Sequence, residues 1–85
     1  RVLFRSLVQQ IPHPHYLIQL HQYNNKYILS ISLDEYEQAY KVPTELISDL
    51  SQFTQLIDER FLTACLQQFK DMRTRWTQLL TNIDS

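Results

Sequence analysis

Glycine is absent from this 85-residue chain, where average usage of about 7% would supply roughly six. That absence excludes a class of site. Glycine-rich phosphate loops need backbone without a Cβ, so that N–H groups can approach a phosphate closely. Nucleotide binding by the glycine-dependent routes is therefore ruled out. Cysteine occurs once, as Cys65. No internal disulfide framework can form, and the expected setting is a reducing, intracellular one, cytoplasmic or nuclear. No apolar run approaches the roughly 18 residues of a membrane-spanning helix, and no secretory signal pattern is visible. The first residue is Arg1 rather than Met, which leads to the expectation of a single domain, 1–85, cut from a larger protein.

What the chain does have is enough to bury. Four Phe, five Tyr and one Trp argue against disorder, because large aromatic side chains supply most of a small core. The net charge of −1 conceals a segmented distribution. Residues 1–33 carry Arg1, Arg5 and Lys26 with no acid. Residues 34–59 carry seven acids against Lys41, and residues 60–85 carry four cations against Asp71 and Asp84. Such blocks either pair across one folded surface or orient a charged partner.

The opening residues place Val2, Leu3, Phe4, Leu7, Val8 and Ile11 at spacings near three and four, which predicts a helix over about 2–10. The short run Val2–Phe4 would also suit a strand. Pro12 and Pro14 then break the element. Tyr16–Tyr23 and Lys26–Leu33 read as a β-hairpin, about 16–33, closed by Asn24-Asn25, since asparagine tolerates the left-handed conformation of a two-residue turn. Its register would oppose Tyr23 to Lys26, Leu20 to Leu29, Ile18 to Ile31 and Tyr16 to Leu33. One face then gathers Tyr16, Ile18, Leu20, Tyr27, Leu29, Ile31 and Leu33, a sorting that a one-residue slip would destroy. The other face mixes polar residues with Leu17, Tyr23 and Ile28, and two open edges would accept further strands or a peptide.

Asp34 followed by Glu37 fits a capping box and predicts a short helix over about 35–40. Val42-Pro43 ends it, and Leu46, Ile47, Leu50 and Phe53 mark a further helix over about 44–53. A long helix is expected over about 55–82. Along it Leu62, Cys65, Phe69, Met72, Trp76, Leu79 and Ile83 alternate spacings of three and four, the a/d seam that suits left-handed helix packing. Leu66 and Leu80 widen the stripe. Such a helix is either bent core or a seam that a partner covers.

Chemistry is sparse. His13, His15 and His21 are the sole metal-like cluster, and structural zinc usually takes four ligands at tighter spacing. They are read as loop and surface residues, and no metal site is expected. Cys65 falls on the apolar seam, where a cysteine behaves as a small hydrophobe. The neighbouring acids Asp34/Glu35 and Asp58/Glu59 would point about 100° apart on a helix and make no acid–base pair. No catalytic residue, cofactor or small-molecule substrate is expected.

The fold class expected is α+β, a small β-hairpin packed against helices in the order α-β-β-α-α. The function expected is a non-catalytic protein–protein interaction or oligomerisation module, with Phe69, Met72, Trp76, Leu79 and Ile83 as the contacts of a coiled-coil-like seam. The alternative is a nucleic-acid-associated domain using Lys70, Arg73 and Arg75, against which stands a pI near 6.3. A membrane partner is not expected.

Overall fold

The computed structural model describes residues 5–84. It is α+β, with a four-stranded antiparallel sheet and one long helix. The strands are β1 (Ser6–Ile11), β2 (Leu17–Tyr23), β3 (Lys26–Leu33) and β4 (Tyr36–Pro43), paired in the order β1-β2-β3-β4. A 3-10 turn (Thr44–Leu46) and the helices α1 (Leu50–Gln55) and α2 (Glu59–Thr81) follow, and a second 3-10 turn (Asn82–Asp84) closes the described chain. The described residues fall into two compact units, 5–55 and 56–84.

The first unit is built on the anticipated hairpin. Tyr23 opposes Lys26, Leu20 opposes Leu29 and Ile18 opposes Ile31, so the two-residue loop sets the register. Strand β2 begins at Leu17, so the expected pair of Tyr16 with Leu33 is not part of the ladder. Ile18, Leu20, Leu29 and Ile31 share one face and are all buried, forming the sheet's apolar centre. Ile28 belongs to the opposite, mostly polar face and is buried as well.

Two elements expected as helices are strands. The helix anticipated over 2–10 is strand β1 from Ser6 onward, residues 1–4 lying outside those described. The reason is a bulge. Leu7 pairs with His21 and Gln9 with Leu20, leaving Val8 as the extra residue. A bulge breaks the period of two, so Leu7, Val8 and Ile11 acquire a spacing that imitates a helix. The helix anticipated over 35–40 is strand β4. Asp34 does not cap a helix. It occupies the left-handed region at φ 54° and, with Glu35, forms the turn between Leu33 and Tyr36. In β4 the alternation is masked because the core-facing series Tyr36, Gln38, Tyr40, Val42 includes a glutamine. Gln38 is buried and its Oε1 accepts a hydrogen bond from the Tyr40 hydroxyl at 3.3 Å. The order is therefore β-β-β-β-α-α, and the open edges of the hairpin are filled by β1 and β4 of the same chain.

Among the described residues, three left-handed residues do the turning in a chain without glycine. Asn24 and Asn25 have φ of 57° and 64°, the both-positive pattern of a type I′ turn. The backbone N–H of Thr44 donates to Asn25 O at 3.1 Å, tying the first 3-10 turn to this loop. Asparagine bears a Cβ in a region where glycine bears none. Asn25→Gly is therefore expected to stabilise the fold by about 0.5–1 kcal/mol, read as a rise in the thermal midpoint with the sheet's circular dichroism unchanged. A fall would mean that the loop holds its neighbours through the Asn25 side chain.

The stretch anticipated as one helix over 44–53 divides into the 3-10 turn and α1, and the long helix starts at Glu59 rather than near 55. Aspartates set both helix starts. Asp49 Oδ1 accepts from Gln52 N at 3.3 Å, and Asp58 Oδ1 accepts from Phe61 N at 3.0 Å. Each satisfies a backbone donor that has no intrahelical partner. The second unit is then mostly α2, whose 23 residues extend about 34 Å.

Candidate interaction surface

The residues of the expected seam lie along α2 and the 3-10 turn after it, and they differ in burial. Leu62, Cys65 and Phe69 are buried, Met72 is half-buried, and Trp76, Leu79 and Ile83 are exposed. Of the anticipated contact residues, Phe69 thus belongs to the core. Trp76, Leu79 and Ile83 keep 47%, 55% and 68% of their surface open. Leu80, absent from the anticipated contacts, is also exposed. Its signal was its place beside the seam, which reads equally as the widened stripe of any globular helix.

The geometry follows from 100° per residue. Measured around the axis, Met72, Trp76, Leu79 and Leu80 fall within a sector of about 100°, and Ile83 continues it into the terminal 3-10 turn. Arg75 borders that sector on one side and Arg73 on the other, about 160° apart. Both are exposed. The opposite face is polar and mostly neutral, with Thr74, Thr77, Gln78 and Thr81. Thr74 and Thr81 turn their hydroxyls back to donate to the carbonyls of Lys70 and Thr77. The shallow depression lined by Thr77, Gln78, Thr81 and Asn82 lies on this back face and offers no charged or buried polar group.

This arrangement separates the three cations of the nucleic-acid reading. Lys70 and Arg73 are neighbours on one side, and Arg75 is on the other. A phosphate track needs cations aligned along one groove, whereas here they straddle an apolar stripe centred on Trp76.

The histidines go elsewhere. His13 Nδ1 accepts from the backbone N–H groups of His15 and Tyr16, at 3.0 and 3.3 Å. The ring packs on Tyr16 with centroids 4.8 Å apart. His13 therefore shapes the β1–β2 connection much as an Asx turn would. His21 lies on β2, with Nε2 3.2 Å from Gln19 Oε1, and its buried Nδ1 has no hydrogen-bond partner. Among the described residues no three His, Cys, Asp or Glu side chains gather as a metal site would require. Burial pushes the Cys65 thiol above its ordinary value, so the thiolate needed of a nucleophile is disfavoured. Ser30 Oγ donates to Glu37 Oε2 at 2.5 Å on the polar face of the sheet.

No helix among the described residues is long and apolar enough to cross a membrane. No protein-family model, no curated protein and no solved structure matches this chain at a significant level.

Proposed function

We propose that this chain is a non-catalytic interaction module that docks a protein partner through the distal half of α2, with Trp76, Leu79, Leu80 and Ile83 as anchors and Met72 at their base. The observation that carries the reading is the split seam. One continuous three-four pattern is used as core up to Phe69 and is then left open to solvent from Trp76 onward. A soluble helix normally turns polar where its core ends. Here the apolar stripe continues, and it is rich in the residue types that dominate interface centres, Trp, Met and Arg. A left-handed, coiled-coil-like contact is the packing that its period suits. The straddling cations weigh against the nucleic-acid alternative, because Arg73 and Arg75 frame the stripe rather than line a groove.

Trp76 is the chain's single tryptophan, so its emission reports on this surface alone. Docking is expected to shift that emission to the blue as water leaves the ring. The measurement is a titration of the chain with tryptophan-free heptad peptides, together with a concentration series of the chain alone. Leu79→Asp combined with Ile83→Asp is expected to abolish any shift. No shift under either condition would overturn the reading.

A further inference from the structure

We infer that the outer edge of β4 pairs with the same edge of a second copy of this chain, antiparallel about a two-fold axis at Ala39. The contact belongs to the sheet and does not depend on the docking surface proposed for α2.

The two outer edges of the sheet differ. Strand β1 carries the Val8 bulge, and a bulge interrupts the ladder and twists an edge away from a partner. Strand β4 is regular, each residue from Tyr36 to Pro43 opposing one of β3. The two-residue turn Asp34-Glu35 makes Leu33 and Tyr36 a hydrogen-bonded pair, so Tyr36, Gln38, Tyr40 and Val42 direct their backbone groups to β3. Glu37, Ala39 and Lys41 direct theirs outward, and all three residues are exposed. Among the described residues no strand pairs with that side. Pro43 takes the next outward position, where a missing N–H breaks no ladder bond.

The side chains along this edge select its occupant. An acid, Glu37, and a cation, Lys41, stand symmetrically about Ala39. Pairing Ala39 with the other copy's Ala39 therefore sets each Glu37 across from a Lys41 on one face and each Tyr36 across from a Val42 on the other. Opposite charges, and an aromatic with a β-branched residue, are both favourable cross-strand pairs. Sliding the pair by one step of the ladder sets a charged residue against Ala39, and a second step opposes like charges. Within the chain Lys41 is opposed on β3 by Ile28, which offers no carboxylate. Glu37 accepts from Ser30 Oγ, and a carboxylate has further acceptor sites for an ammonium group. An edge lysine ordinarily repels other edges. In this register alone it meets a glutamate, so the same residue that blocks stray pairing favours its own copy. The contact consists of about six backbone hydrogen bonds with little apolar area, so the expected dimer is weak, with a dissociation constant in about the micromolar range or above.

The test is the solution mass of the whole chain by light scattering over a wide concentration range, with circular dichroism confirming the fold of each variant. Ala39→Pro removes the central outward N–H and no bond to β3. Glu37→Lys turns both charge pairs into like pairs, and adding Lys41→Glu restores them in reversed order. The expected result is a concentration-dependent dimer that Ala39→Pro abolishes, Glu37→Lys weakens by about tenfold or more, and the double exchange recovers. A chain that stays monomeric up to about millimolar concentration would overturn the inference and leave the docking function standing. A dimer that persists in folded Ala39→Pro would overturn it too, and its loss in Leu79→Asp with Ile83→Asp would place the second copy on α2 instead. Should Ala39→Pro unfold the sheet, the charge exchange decides, and failure of the double variant to recover the dimer would reject the Ala39 register.

Discussion

Phe69→Ala is expected to destabilise the chain by about 3–5 kcal/mol, the usual range for emptying a buried aromatic site, whereas Trp76→Ala should cost about 1 kcal/mol or less. The two aromatics are seven residues apart on one helix and occupy the same position of the repeat. They differ in that Phe69 keeps 3% of its surface exposed and Trp76 47%. In a domain this small each kcal/mol moves the thermal midpoint by roughly 4–8 °C. Phe69→Ala should therefore lower the midpoint by more than about 10 °C, while Trp76→Ala lowers it by no more than about 4–8 °C and removes the docking response. Equal losses in the two variants would show that the distal half of α2 is core in solution, and the proposed surface would then not exist. No loss in Phe69→Ala would mean that the proximal half is not packed as described.

The second large effect is in the sheet, where two adjacent residues should behave oppositely. Ile18 has no exposed surface and Leu17 has 46% of its surface open, because successive side chains of β2 point to opposite faces. Ile18→Ala is expected to cost about 2–5 kcal/mol and Leu17→Ala about 1 kcal/mol or less. Urea unfolding followed by circular dichroism measures both. Similar costs would be incompatible with the register in which Ile18 faces Ile31, since a slip of one residue exchanges the two faces.

The hairpin was legible in the sequence because three local signals agree. A run of β-branched and aromatic residues alternates with polar ones, a second run mirrors it, and two asparagines stand between. Nothing distant is needed to decide such an element, and its loop then fixes its register. The flanking strands were not legible for reasons that are equally local. Val8, the extra residue of the bulge in β1, throws the alternation out of phase and produces helical spacing. In β4 a buried glutamine sits where the alternation calls for an apolar residue, and Asp34 with Glu37 forms a plausible helix start. Asp34 instead takes a positive φ to turn the chain. A helix and a hairpin both begin with such residues, and the choice falls to whether an unpaired strand edge is waiting. The edge of β3 was waiting.

The candidate surface was partly legible. The three-four spacing from Leu62 to Ile83 is a property of the chain and is readable without coordinates, as is the pairing of apolar seam with arginine flanks. Where the seam stops being core is not, because the same spacing serves a buried helix and a docking helix.

By itself the sequence determined what rests on composition and short-range geometry. It excluded glycine-dependent phosphate loops and internal disulfides, set the two-residue Asn24-Asn25 turn and its register, and wrote one long amphipathic helix with arginines beside its stripe. The tertiary structure decided what depends on neighbours distant in sequence. It made strands of Ser6–Ile11 and Tyr36–Pro43, because a two-stranded hairpin leaves backbone groups that further strands can satisfy. It also divided the α2 seam after Phe69, because burial depends on what surrounds a side chain and spacing records only which side of the helix it is on.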